Sequence, residues 1–237
     1  MKRLKLSMDK VKAVFVSHEH SDHIKGIPTL AKKYQLPIYI TPATLFHCGF
    51  MLDKQLVVPF AANLPIVIGG LSTVAFPKLH DACDPYSFII SCNGVKVGVF
   101  TDIGTPCQQL IHHFKQCHAA FLEANYDDEM LSSGNYPYHL KKRITGGKGH
   151  LSNKQALQLF KAHKPAFMSH LFLSHLSKNN NCPDIVQALF DAHAGKVNMI
   201  VASRFEETPL YHICESNKRD SKFSREVSPA QLSFSFA

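Results

Sequence analysis

One motif constrains this chain more than any other feature: Ser17-His18-Glu19-His20-Ser21-Asp22-His23, placed directly after the apolar, β-branched run Val11 to Val16. Imidazoles and a carboxylate crowded into one tight turn are metal-ligand chemistry. In an extended segment alternate side chains point the same way, so His18 and His20 can grip one ion while Asp22 and His23, past the bend, face a second. Donor sets made only of nitrogen and oxygen suit Zn²⁺, Mn²⁺ or Fe²⁺ in open catalytic sites better than a thiolate-closed structural zinc. A strand that delivers such groups at its C-terminal mouth fits an α/β layered design.

The rest of the pattern extends that design. Ile24 to Tyr34 carries helical spacing (Ile24, Ile27, Leu30, Ala31, Tyr34), Pro37 stops it, and Ile38 to Ile40 is the next strand. From Leu64 the pattern changes to hairpins: Ile66 to Ile68, Gly69-Gly70 and Leu71 to Phe76, then Tyr86 to Cys92, Asn93-Gly94 and Val95 to Phe100. Asn-Gly between apolar runs is a strong hairpin signal, because a type I′ turn needs positive φ at both positions. Pro106 to Cys117 predicts a helix, Ala119 to Ala124 a strand, Asn153 to His163 a helix, Pro165 to Leu173 a strand and Pro183 to His193 a helix; Val197 to Ala202 and Leu210 to Ile213 close the sheet. There is no internal repeat. Residues 1–214 are expected to form one domain, and 215–237, rich in Ser, Lys, Arg and Asp, a disordered basic tail.

Composition limits the function classes. With 45% hydrophobic and 19% charged residues in 237, the chain buries a core, which excludes disordered and fibrous architectures. Its apolar runs fall far short of the roughly 20 residues of a membrane helix, and a cytoplasmic globular protein is expected. Lys and Arg number 26 against 18 Asp and Glu, and the net charge of +8 favours polyanions, nucleic acid foremost. Fifteen histidines exceed ordinary usage several-fold, and His is the commonest metal ligand. The 7 cysteines are odd in number and lack a C-x-x-C, so they read as reduced thiols.

The His-x-His-x-Asp-His motif after a strand resembles the signature of the metallo-β-lactamase fold, an αββα sandwich with a binuclear site between its sheets. That resemblance implies further ligands, each at a strand end: His80 completing the first ion with His18 and His20, Asp102 as bridging carboxylate, and His175 joining Asp22 and His23 on the second. His170, five residues earlier, is the rival to His175. A lone His beside a strand is more often a satisfied buried His; hits in family order reverse that weighting. The segments SHEHSDHIKG from Ser17, HDACDP from His80, TDIG from Thr101, GHLSN from Gly149 and HLSKNN from His175 together resemble the YycJ/WalJ-type metallohydrolases. The family implies a 5′-to-3′ DNA exonuclease with two divalent ions, Zn or Mn, that activate a hydroxide for attack on a phosphodiester.

The same resemblance assigns roles. Asp22 would orient the hydroxide as well as bind metal. Phe121 to Asn125 and Gly149 to Ser152 resemble segments of the transfer-RNA 3′-processing enzymes of this fold, by which Glu123 orients His150 and His150 acts as general acid or phosphate contact. Alternatively, Ser152 or Asn153 caps the following helix and His150 is only its neighbour. Lys141, Arg143 and Lys148, a basic run joined to flexible glycines upstream of His150, are expected to hold the phosphate backbone, with Ser152 and Asn180 also touching substrate. A charge run is otherwise only a solvated face. The tail Gln231 to Phe236 resembles the short peptide by which bacterial repair proteins dock on a sliding clamp. Only Met1 to Lys10 precede Val11, so the fold's N-terminal strands are expected to be missing, with Lys2 to Lys10 the end of a helix. Other readings are an RNA-processing nuclease, a small ester, thioester or lactam hydrolase of the same fold, and an inactive truncated metal-binding protein.

Overall fold

The computed structural model describes residues 3–215, so Gln231 to Phe236 and all of the expected tail after Glu215 lie outside the described residues. Strands β1 (Val14–Phe15), β2 (Ile38–Tyr39) and β3 (Val57–Val58) form a small parallel sheet in that order. The large sheet runs β10-β9-β8-β7-β6-β5-β4 and comprises β4 (Pro65–Ile68), β5 (Leu71–Pro77), β6 (Tyr86–Cys92), β7 (Val95–Phe100), β8 (Ala119–Glu123), β9 (His170–Ser174) and β10 (Asn198–Val201). Its β4 to β7 half is antiparallel and its β7 to β10 half parallel. Asn93-Gly94 makes the β6–β7 turn as expected, both residues at positive φ.

Strand alternation divides the core into layers. Ala75, Phe88 and Ile90 face the small sheet, where they meet Phe15 and Tyr39. The Phe15 and Phe88 rings cross edge-on with centroids 5.7 Å apart, which joins the sheets at their centre. The neighbouring positions Phe76 and Ile89 point the other way, under α4 (Gln108–Phe114), α7 (Asn153–His163) and α8 (Pro183–Asp191). On the opposite flank α2 (Ile27–Tyr34) and α3 (Pro42–His47) cover the small sheet through Ile27, Ala31 and Leu45. The layer order is therefore the expected αββα.

Four local expectations are corrected. The helix predicted over Ile24 to Tyr34 is two, α1 (Ser21–Ile24) and α2, because Gly26 caps the second and Pro28 can only begin a helix. Leu210 to Ile213 is not a strand; Tyr211 and Ile213 lie over Phe121 and Phe172 on the inner face of the large sheet. The stretch before Val11 contains a 3-10 turn, Met8–Lys10, capped by Ser7, rather than the end of an α-helix. Short helices α5 (Asp128–Ser133) and α6 (Tyr138–Thr145) occupy what the sequence left unassigned. No helix among the described residues is long and apolar enough to cross a membrane.

This topology aims several strand ends at one rim. β5 and β7 both lie antiparallel to β6 and so share a direction, and β8 and β9 run parallel to β7. The Tyr86 amide donates to the Ser17 carbonyl, which brings the end of β1 to the same rim.

Candidate metal centre and active site

Five strand ends feed the rim. β1 leads into His18, β5 into His80, β7 into Asp102, β8 ends in Glu123, and β9 leads into His175. The turn of α1 carries Asp22 and His23, with His20 at its N-cap. The result is overlapping donor sets, each within 4.8 Å: His18, His20 and His80; Asp22, His23 and His175; His18, His23 and Asp102; and Asp102, Glu123, His150 and His175. His175, not His170, joins this cluster. Asp102 and His175 have φ of 56° and 58°, a left-handed conformation that costs a non-glycine residue roughly 1 kcal/mol or more and is retained at functional sites.

The donors fit a metal. His20 Nδ1 lies 3.1 Å from His18 Nε2 and 3.2 Å from His80 Nε2, so three ring nitrogens converge. Burial drives His18 down to about 2, reinforced by the nearby Lys78, and burial lowers His80 to about 4 against the pull of Asp102. Burial keeps these two rings neutral, so their nitrogens are free to act as donors to a cation. In the second set, Asp102 Oδ2 and His23 Nε2 stand 3.4 Å apart, buried and without a hydrogen-bond partner. Asp22 is held far below the usual carboxylate range by the imidazoles of His175 and His23, whose Nε2 atoms lie 3.9 and 3.4 Å from its Oδ2. His175 is pushed up to about 10 although burial opposes it, because Asp102, Asp22 and Glu123 surround it.

The supporting groups fix which nitrogen faces inward. The Gly149 carbonyl accepts from His80 Nδ1, 3.1 Å away, leaving Nε2 for the centre. Ser17 Oγ lies 3.0 Å from His18 Nδ1 and 3.3 Å from His23 Nδ1, and one hydroxyl thereby sets both rings. Glu123, fully buried, is the hub. Its Oε1 accepts from Nδ1 of both His150 and His175 at 2.8 Å, while Oε2 accepts the Ile103 and Leu151 amides at 2.8 and 3.1 Å. Burial alone would raise this carboxyl; the two imidazoles hold it at about 2. Glu123 thus holds His150, as expected, and also His175, which was not anticipated.

The remaining expected residues divide. Arg143 on α6 pairs through Nε with Asp81 Oδ2, and Asp81 Oδ1 is 3.5 Å from His80 Nε2, so the basic helix borders the centre. Lys141 donates to the Ser132 carbonyl at 2.6 Å and Lys148 is exposed in the following loop. That loop is close-packed rather than flexible: a Cβ on Gly149 would collide with the Ile144 carbonyl oxygen, and one on Gly104 with that of Gly147. Ser152, expected to touch substrate, is turned into the fold. It is 2% exposed and its hydroxyl caps α7 in a capping box with Gln155. Asn180, 1% exposed, is likewise walled in, its Oδ1 2.9 Å from where a Gly134 Cβ would be.

Sequence reasoning missed Ser17, Lys78 and Asp81. Lys78 is buried, donates from Nζ to the Thr101 carbonyl at 2.8 Å and lies 3.8 Å from Asp102 Oδ2. Burial lowers its pKa, with Asp102 and Glu123 opposing. Only its position two residues before His80 at a strand end could have flagged it.

The similarities to known proteins agree with this geometry. Residues 1–175 match the model of the beta-lactamase superfamily domain. The chain is 31% identical over 191 residues to exodeoxyribonuclease YycJ of Bacillus anthracis, covering 78% of this chain and 72% of that protein. It is 28% identical over 193 residues to exodeoxyribonuclease WalJ of Streptococcus pneumoniae, covering 79% and 70%. Among solved structures, the metallo-beta-lactamase fold protein YhfI from Bacillus subtilis superimposes with a TM-score of 0.64 at 20% identity, covering 82% of this chain and 76% of that one. By sequence, fold and donor arrangement, this chain belongs to the beta-lactamase superfamily and is an enzyme of its metal-dependent hydrolase class.

Proposed function

We propose that this chain is a cytoplasmic metal-dependent phosphodiesterase, and specifically a 5′-to-3′ DNA exonuclease. What supports a nucleic-acid substrate over a small ester is the position of α6: Arg143 is tethered to Asp81, whose other oxygen stands beside His80, so cationic side chains border the reacting centre. The YycJ and WalJ relatives are named exodeoxyribonucleases, which supports DNA and the exonucleolytic mode.

His18, His20 and His80 would hold one divalent ion and Asp22, His23 and His175 a second, with Asp102 available to either; Zn and Mn both suit these donors. Bound there, the ions would supply Lewis-acid charge and an attacking water acidic enough to work near neutral pH. The chain's own groups do the rest. Asp22, two-thirds exposed at its side chain, accepts a hydrogen bond from the attacking water and aims it. His150 has Nδ1 committed to Glu123, which leaves Nε2 to donate a proton to the departing 3′ oxygen. Glu123 stabilises the imidazolium before that transfer. Arg143, Lys141 and Lys148 hold neighbouring phosphates and set the register of the strand.

Metal-loaded protein incubated with end-labelled linear duplex DNA, single-stranded DNA, RNA of the same sequence and a chromogenic ester tests this reading. Release of mononucleotides from the 5′ end of DNA is expected. Faster cleavage of the RNA would move the assignment to RNA processing, and turnover of the ester alone would overturn the nuclease reading. Docking of Gln231 to Phe236 on a sliding clamp is a separate proposal, tested by titrating that peptide against a purified clamp.

A further inference from the structure

Lys78 is a charged group in this centre that the mechanism above does not use. It sits at the end of β5, its side chain 1% exposed, with Nζ 2.8 Å from the Thr101 carbonyl and 3.8 Å from Asp102 Oδ2. That carboxylate oxygen has no hydrogen-bond partner and lies between Lys78 on one side and His23 Nε2, 3.4 Å away, on the other. Asp102 is held at φ 56°. A buried ammonium is costly to retain, and one placed behind a carboxylate shared by two cation positions acts on any cation that carboxylate receives.

We propose that Lys78 is an internal counter-ion, a positioning residue that holds the Asp102 carboxylate in place when no metal is bound and, by the same charge, weakens the centre's affinity for divalent cations. Two effects give one sign. In the metal-free protein Lys78 neutralises Asp102 and stabilises the empty geometry. In the loaded protein its charge repels the incoming dication. Lys78 would not be a ligand, since an ammonium has no lone pair to offer and its hydrogens are turned to the Thr101 carbonyl. Ions would accordingly exchange faster than the same cluster without the Lys78 charge would allow.

The inference rests on the metal-centre reading. Wild type, Lys78→Met and Lys78→Arg are stripped with chelator, titrated with Zn²⁺ against a chromogenic chelator, and melted with and without Zn²⁺. Lys78→Met keeps the length and removes the charge. It should bind the weaker Zn²⁺ equivalent about tenfold more tightly and melt lower than wild type only when metal-free. Lys78→Arg should keep wild-type affinity. Unchanged or weaker Zn²⁺ binding by Lys78→Met overturns the proposal, as does an arginine variant that shifts like the methionine one, because the effect would then be packing. Lys78→Gln carries the same expectation where the methionine variant does not fold. Absence of Zn²⁺ binding by the wild type would instead sink the metal reading itself.

Discussion

The two sides of the centre are built on opposite electrostatic plans. His18, His20 and His80 bring three ring nitrogens together with no carboxylate among them, and burial keeps His18 and His80 neutral at values of about 2 and 4. Asp22, His23, Asp102 and His175 instead alternate anions with imidazoles drawn toward their charged form. The first side has only its own ring nitrogens to share protons among, His20 Nδ1 with His18 Nε2 and His80 Nε2. The second neutralises itself by proton uptake. The difference teaches that the fold, and not local charge balance, holds the nitrogen side together, whereas the mixed side balances its anions with protons on His23 and His175.

Removing a ligand from each side breaks that comparison. His80→Ala should lower cleavage by about 10³-fold or more while changing the metal-free protein's melting temperature much less, since a neutral ring takes no charge away from the neighbouring carboxylates. His175→Ala should abolish activity as well, yet destabilise the metal-free protein by roughly 3 kcal/mol, because Asp22, Asp102 and Glu123 lose their shared cation. Equal effects of the two on metal-free unfolding would refute the contrast.

Proton transfer comes next in size. His150→Ala should retain both metals by elemental analysis and lose about 10²-fold in kcat, more on a substrate with a poor leaving group than on an aryl phosphodiester. Full activity would remove His150 from the reaction. Glu123→Gln should lose at least as much and also melt lower, since one amide cannot accept from two imidazoles and two backbone amides together.

The mixed side also predicts a pH dependence. His175 is raised in the folded, metal-free protein from an ordinary 6.5 to about 10: burial works against this, and Asp102, Asp22 and Glu123 outweigh it. A raised histidine contributes stability that is fully present below its unfolded value near 6.5 and is lost as pH rises through about 10. Urea unfolding of chelator-treated protein should therefore weaken between pH 6.5 and 10 more steeply for wild type than for His175→Asn. Parallel profiles would count against a charged His175.

The fold was legible because it rests on local patterns, and the candidate donors because the His-x-His-x-Asp-His motif resembles a known family. Alternation in Tyr86 to Phe100 with Asn93-Gly94 encodes a hairpin, and the resemblance pointed to His80, Asp102 and His175, which strand ends bring to one rim. What escaped was set by tertiary approach. Ser152 reads equally as a phosphate contact or a helix cap, and only burial decides for the cap. The glycines before His150 look like a flexible loop, yet at Gly149 the Ile144 and Arg143 carbonyls occupy the place a Cβ would need. Lys78 looks like a surface lysine until β5 ends inside the rim.

The smallest effect belongs to the rim, where the two plans meet. Arg143 is just over half exposed and engages the centre only through Asp81, whose free Oδ1 lies 3.5 Å from His80 Nε2. Arg143→Ala should leave kcat intact and raise KM for DNA about threefold, lowering the slope of log affinity against log salt by about 1. It also releases Asp81, so the nitrogen-only side gains an unpaired anion at its edge and should bind Zn²⁺ up to about threefold more tightly. Substrate and metal affinities are thus expected to move in opposite directions from one substitution. If both weaken together, Arg143 instead supports the His80 loop. An Arg143→Lys variant that keeps the wild-type salt slope while binding Zn²⁺ as tightly as Arg143→Ala would separate the charge of Arg143 from its grip on Asp81, because a compact ammonium holds phosphate without reproducing the guanidinium's directed bond.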